Sequence, residues 1–386
     1  MILVDATPLQ TEHRYRGPGI YTAGLLDALA RLAPPCSLGL LMQTPHPNDL
    51  PLAAELAGRG DISIVHLHRP RRPRYRLQRQ LSLLTVPPAL RRSDASLYHA
   101  TEPSGLVRMP GLPTVATLYD LIPLHYPAAH LPLRHADDRL AYAGYLRQLQ
   151  RADRLIAISE ATRLDAIQRL DIRPERITVT PLAVDARRFH SVAPGEVDRV
   201  VTAFGLRRPY FLHVGAAAYH KNTAALLRAY ALFRESSGEH ALYVAGKWTA
   251  RALSNLAAGY PDLMAGGHVR VLGFVPESDL AALYGGADAL LYPSLMEGFG
   301  LPVLEAMSCG TPVLTSRTSS LPEAGGDAAL YVDPREPEEI AAGMRRLADD
   351  LALRRDLAAR GLQRAAQFTW QRTAELTLQV YRELLP

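Results

Sequence analysis

Two glutamates and a lysine carry the most chemistry that can be read from this chain. Glu297 lies in the run Glu297-Gly298-Phe299-Gly300, and Glu305 follows in Leu301-Pro302-Val303-Leu304-Glu305-Ala306-Met307-Ser308-Cys309-Gly310. Pro302 has its φ pre-set and lacks an N–H that a helix start leaves free anyway, so it suits the first helical position. Gly310 before Thr311-Pro312 reads as the helix stop. The first carboxylate is therefore expected on a glycine-flanked loop and the second inside a short helix. Free amides at that helix start suit a phosphate, and the carboxylates suit sugar hydroxyls. Of the 43 basic side chains only Lys221 and Lys247 are lysines. Against so strong an arginine bias, a surviving lysine points to a place where a compact ammonium reaches a crowded phosphate and a planar fork does not. The indication is stronger for Lys221 than for Lys247.

The elements that must position these residues alternate strand and helix almost throughout, which predicts parallel α/β architecture. In the first half, strands are expected at Ile2 to Val4, Ile62 to Val65, Ser96 to His99, Thr114 to Leu118, Leu155 to Ile158 and Ile177 to Val179. A second series starts afresh at Tyr210 to Val214. It continues with Ala241 to Ala245, His268 to Leu272, Ala289 to Tyr292, Pro312 to Thr315 and Ala329 to Val332. Helices are expected over about 20–32, 160–170, 223–235, 337–360 and 370–385. The loop before Glu297 then follows a buried strand, at the carboxyl end where open α/β sheets bind ligands. Ser191 to Glu196, with Pro194-Gly195, reads as the linker. This divides the chain into Rossmann-like domains over 1–190 and 191–365, with a terminal helical segment 366–386 expected to return to the first.

At 386 residues the chain exceeds one ordinary core, in keeping with two domains. With 48% hydrophobic and 21% charged residues it has the composition of an ordinary globular protein. No signal peptide and no long uncharged apolar stretch is seen, and Cys36 and Cys309 are too few for a disulfide framework. A cytoplasmic setting is expected. Cys309 reads as packing. His66, His68, His99 and His125 lack metal-ligand spacing, so no metal and no cofactor is expected. After Gly17 and Gly19 the third position of a dinucleotide fingerprint is Thr22, which disfavours a nicotinamide enzyme. Residues 62–93 contain no acid but hold Arg69, Arg71, Arg72, Arg74, Arg76, Arg79, Arg91 and Arg92, interleaved with leucines. The pattern allows either a solvated helix face or a contact with an anionic membrane surface. It carries no nucleic-acid module.

Several motifs coincide along the chain: Gly17-Pro18-Gly19-Ile20-Tyr21-Thr22, Tyr119-Asp120-Leu121-Ile122-Pro123, Ile158-Ser159-Glu160, His213-Val214-Gly215 with His220-Lys221-Asn222, Leu272-Gly273-Phe274-Val275, the 297–305 segment, and Ser320-Leu321-Pro322-Glu323. As an ordered set they resemble the retaining glycosyltransferases of family four. That resemblance implies the GT-B fold, two Rossmann-like domains with parallel sheets facing an interdomain cleft. It also implies roles for matching residues. Lys221 corresponds to the phosphate-binding lysine and Gly19, with Gly17, to the glycine turn that approaches the diphosphate. Glu297 corresponds to the glutamate facing the donor sugar, with Gly298, Phe299, Gly300 and Leu301 completing the donor-binding segment. Glu305 corresponds to the ribose-binding glutamate, and Phe274 and Val275 lie where the base is held. Two departures stand out. Tyr119 occupies the place of a common histidine, and a phenol positions rather than removes a proton near neutrality. Asp120 beside it either orients the acceptor hydroxyl or caps the next segment. Ala216 stands where many members carry an arginine, leaving Lys221, helped by His220 or Lys247, to meet the diphosphate.

The resemblance implies metal-independent transfer of a sugar from a nucleotide diphosphate to a hydroxyl, with the anomeric configuration retained. Mannose from GDP-mannose is the expected donor, since the Tyr-Asp-Leu-Ile-Pro pattern is similar to bacterial polysaccharide mannosyltransferases. A UDP- or dTDP-sugar is the alternative. The expected acceptor is a growing glycan on a lipid diphosphate, with the protein peripheral on the inner membrane face. Competing readings are a catalytically silent nucleotide-sugar scaffold and, less favoured, a sugar-nucleotide epimerase.

Overall fold

The computed structural model describes residues 1–32, 37–44, 62–68, 75–102, 105–129, 136–236 and 238–385. Cys36 and Arg69, Arg71, Arg72 and Arg74 of the basic segment lie outside them, as do the side chains of Arg76 and Arg79. The chain divides into two compact units, residues 1–183 with 369–386, and residues 184–368. Pro194-Gly195, read as a linker, instead opens a helix, Pro194–Ala203. A proline in the first turn removes only an N–H that has no intrahelical partner.

Among the described residues, the first unit holds a seven-stranded, all-parallel sheet. Its strands are Ile2–Asp5 (β1), Leu38–Thr44 (β2), Ile62–His68 (β3), Leu97–Ala100 (β4), Thr114–Leu118 (β5), Arg154–Ala157 (β6) and Ile177–Val179 (β7), in the order β3-β2-β1-β4-β5-β6-β7. β2 escapes the sequence reading because Gly39 and the Leu40-Leu41-Met42 run, with no β-branched or aromatic residue, lack strand propensity; pairing on both sides supplies the order. Helix Gly17–Leu32 buries Tyr21, Leu25, Leu26 and Leu29, a stripe at helical spacing. The C-terminal helix Trp370–Arg382 packs in this same unit. There the Trp370 ring lies edge-on to Tyr21, and Thr373 Oγ1 donates to the Pro181 carbonyl over 2.7 Å.

The second unit holds a six-stranded parallel sheet. Tyr210–Val214 (β8), Ala241–Ala245 (β9), Val269–Gly273 (β10), Ala289–Tyr292 (β11), Val313–Ser316 (β12) and Leu330–Val332 (β13) run in the order β10-β9-β8-β11-β12-β13. The chain winds outward from β8 to β10, then returns to β11 and winds the other way. The order therefore reverses between β8 and β11, and the crevice beyond their carboxyl ends is where such sheets take ligands. The single helix expected over 337–360 is two helices, Pro337–Asp349 and Leu351–Ala365. Asp350 is extended between them and caps the second, accepting from the Leu353 amide over 2.8 Å. A short polar side chain bonding its own following backbone competes with helix continuation. Among the described residues no helix is long and apolar enough to cross a membrane.

Candidate active site

β8 carries His213 to its carboxyl end, fully buried, with Nδ1 2.8 Å from the Leu291 carbonyl of β11. Burial lowers its pKa to about 4, so the imidazole is neutral and Nδ1 is the protonated nitrogen. The chain then turns through Gly215 into a 3-10 turn, Tyr219–Lys221. Asn222, left-handed at φ 58°, ends that turn and starts helix Thr223–Glu235. Its side-chain amide donates to the Pro293 and Pro334 carbonyls over 3.0 and 2.6 Å, fixing the turn against two other loops. The Leu295 amide adds a 2.8 Å bond to the His220 carbonyl. Lys221 is thus held at the carboxyl edge of β8.

From β11 the chain reaches Glu297, whose backbone is clamped by two serines. Its amide donates to Ser319 Oγ over 3.1 Å, and its carbonyl accepts from Ser319 and Ser320 over 2.6 and 2.9 Å. Gly300 takes φ 114°, a value disfavoured for residues with a Cβ, and leads into helix Leu301–Ser308 with Pro302 in its first turn. That helix ends as its glycine predicts. The Gly310 amide bonds the Met307 carbonyl and the Thr311 amide the Ala306 carbonyl, a Schellman arrangement with Gly310 at φ 75°. Phe299 faces the interior, edge-on to Phe368 at 5.7 Å between ring centroids, so only its backbone is available to a ligand.

The two loops bring Lys221 and Glu297 together. Lys221 Nζ donates to Glu297 Oε1 and Oε2 over 2.9 and 3.0 Å and also to the Tyr292 hydroxyl. Burial acts to raise the Glu297 pKa, but the Lys221 and His220 charges and the Lys221 hydrogen bond outweigh it, and the carboxyl titrates below its ordinary range. Glu305 differs. It too is buried, its Oε2 accepts from the Tyr284 hydroxyl over 2.9 Å, and burial drives its pKa up to about 7. The Lys221 charge acts on Glu305 as well, in the opposite sense. Phe274 is 51% exposed just beyond β10, with the Lys247 ammonium 5.3 Å over its ring, while Val275 is buried. Cys309 is buried and its thiol pushed up to about 12, consistent with packing. Tyr292, Tyr284 and Ser319 were not anticipated at this site, and His213 stood in a motif without an assigned role. Tyrosines inside apolar runs read as core, and the only signal at hand was a hydroxyl at the very end of β11.

The remaining predicted residues lie in the first unit. Tyr119 follows β5, buried, and its hydroxyl donates to the Thr101 carbonyl over 2.6 Å. Burial holds its pKa far above the ordinary phenol value. Asp120 Oδ1 accepts from the Ile122 amide over 3.0 Å, at the first residue of the short helix Ile122–His125. Gly17 and Gly19 open helix Gly17–Leu32; a Cβ at Gly19 would lie 2.4 Å from both the His13 carbonyl oxygen and Arg14 Cα.

Residues 15–188 match the model of Glycosyltransferase Family 4, and residues 196–364 that of Glycosyl transferases group 1. The O-antigen chain mannosyltransferase B of Escherichia coli is 35% identical over 66% of this chain and 67% of that protein. The chain belongs to glycosyltransferase family 4. A second relative of this family 4 chain, the serotype-specific mannosyltransferase WbdA of Escherichia coli, is 28% identical across 100% of the chain, which spans 48% of WbdA. Among solved structures, sucrose-phosphate synthase from Thermosynechococcus elongatus superposes with a TM-score of 0.78 at 22% identity, covering 99% of this chain and 98% of that one. Anabaena HepE in complex with UDP and glucose gives 0.75 at 18% identity, with 99% of each chain covered. The two parallel sheets of this chain are those of the GT-B glycosyltransferase fold.

Proposed function

We propose that this glycosyltransferase moves mannose from GDP-mannose to a hydroxyl of a glycan carried on a lipid diphosphate, in cell-surface polysaccharide synthesis, with the anomeric configuration retained. The observation that carries the reading is the Lys221–Glu297 pair at the β8/β11 reversal, next to Glu305. Cleaving a nucleotide diphosphate sugar builds negative charge on the leaving diphosphate, which a fixed ammonium and helix-start amides stabilise without reorganising. Lys221 is assigned that charge, and Glu297 the donor sugar. Glu305 accepts from the ribose hydroxyls and Phe274 and Val275 flank the base. The leaving phosphate oxygen helps deprotonate the attacking hydroxyl on the same face, and no metal is required. In the first unit, Gly17 and Gly19 are assigned to the diphosphate, and Tyr119 and Asp120 to the surroundings of the acceptor. Mannose is favoured by the two mannosyltransferase relatives. The UDP-bound HepE structure favours a UDP-sugar as the second reading.

Peripheral binding to an anionic membrane is part of the proposal. Exposed Leu83 and Leu84 lie on the acid-free helix Tyr75–Arg91, which ends at exposed Arg91. Charge-neutral variants at Arg91 and Arg92 should weaken binding to anionic vesicles while leaving nucleotide affinity alone; equal vesicle binding rejects the contact.

The test of function is turnover. GDP release from GDP-mannose in the presence of a lipid-diphosphate glycan is expected, with an axial product linkage by NMR, and Lys221→Ala or Glu297→Ala should abolish it. Melting temperatures should rise more with GDP than with UDP or dTDP, since ligands of the folded form stabilise it. Binding without turnover would favour the silent scaffold; conversion of the donor with no acceptor would favour an epimerase.

A further inference from the structure

Tyr292 is the last residue of β11 and is fully buried. Three features hold it still. Its carbonyl accepts from Thr315 Oγ1 over 2.9 Å, it pairs with Thr315 in the β11–β12 ladder, and the preceding Leu291 carbonyl is bonded by His213. Its hydroxyl accepts from Lys221 Nζ, which also lies 4.8 Å from its ring centroid. The phenol stays neutral, because burial, then the Glu297 charge, hold its pKa far above the ordinary value.

An ammonium is a point charge with three equivalent donors and no preferred direction of its own. We propose that Tyr292 is a positioning residue for this reaction: its hydroxyl takes one Lys221 N–H and the two Glu297 carboxylate oxygens share a second, so that the third is aimed at the donor diphosphate. The inference rests on the donor-site reading above. Ring and charge attraction would keep Lys221 near Tyr292 without the hydroxyl, but would not orient it. Removing the hydroxyl should therefore harm the step in which diphosphate charge grows more than it harms donor binding.

The chain's two lysines make this directly observable. With 15N-labelled lysine, the Lys221 ammonium of the wild-type protein should give a slowly exchanging signal near neutral pH, while that of exposed Lys247 exchanges too fast to see; Lys247→Arg secures the assignment. Tyr292→Phe should speed exchange at Lys221 and lower kcat about tenfold, the loss of one hydrogen bond to a charged group, with the donor KM within about threefold. Equal exchange at the two lysines in the wild type, unchanged Lys221 exchange in Tyr292→Phe, or a raised KM at constant kcat would each overturn the role. Absence of turnover by the wild type with every nucleotide sugar sinks the functional reading instead, while the exchange measurement still decides whether Tyr292 holds the ammonium.

Discussion

The Tyr284 hydroxyl donates to Glu305 Oε2 over 2.9 Å inside a fully buried setting, and this one bond does not offset the burial that raises the carboxyl pKa to about 7. Glu305 therefore holds a proton in the folded chain at pH values where the unfolded chain has lost it.

The sign follows from linkage. Between an unfolded pKa of 4.5 and a folded value of about 7, the folded state binds more protons, so stability falls as pH rises through that window. The full difference is on the order of 3 kcal/mol. Glu305→Gln should remove this slope in melting temperature against pH. Nucleotide affinity of the wild type should strengthen above about pH 7, as the ionised carboxylate becomes the better acceptor for ribose hydroxyls. Affinity that does not vary between acid and alkaline sides of that value would separate Glu305 from the ribose.

Breaking the Lys221–Glu297 pair should be costly in both directions. Lys221→Ala leaves a carboxylate that is 9% exposed without its main counter-charge, and a loss of about 3 kcal/mol is expected, along with a rise in the Glu297 pKa. Because the folded Glu297 pKa lies below its ordinary value, the stability it contributes is present above pH 4.5 and is lost as pH falls below it. Denaturant unfolding of the single and double variants gives the coupling directly. A double variant equal to the sum of the two single variants would mean that the pair contributes nothing.

Gly17 and Gly19 should separate folding from ligand contact. At Gly19 a Cβ would press on backbone atoms of His13 and Arg14 that have little room to yield, so Gly19→Ala should destabilise by about 1–3 kcal/mol. At Gly17 nothing lies within 4 Å of the added atom, and Gly17→Ala should stay within about 0.5 kcal/mol of wild type. Lost activity in Gly17→Ala at unchanged melting temperature would mark a contact with substrate.

Tyr119→Phe leaves the buried Thr101 carbonyl without this donor and should cost about 1–3 kcal/mol. If Tyr119 only positions its surroundings, the pH profile of kcat should keep its shape. A displaced limb would instead assign the phenol a proton-transfer role.

Much of the candidate site in the second unit is legible in the chain because its punctuation is local. Gly300, Pro302 and Gly310 each mark a backbone state by their own stereochemistry, and the helix they bound carries Glu305. The arginine bias isolates Lys221. What the order of residues leaves open is Asp350 dividing two helices, β2 forming around Gly39, and above all the hydroxyls of Tyr292 and Tyr284. Those tyrosines sit in apolar runs where packing is the ordinary reading.

The sequence by itself determined the alternating elements, the family motifs and the residue types at the site, since strand period, turn chemistry and helix stops are written within a few neighbouring positions. Only the tertiary structure decided that Lys221 meets Tyr292 and Glu297, and that Glu305 is buried deeply enough to hold its proton. Those facts depend on β8 and β11 becoming neighbours across a crossover, and the environment of a buried charge is made by residues far away in the chain.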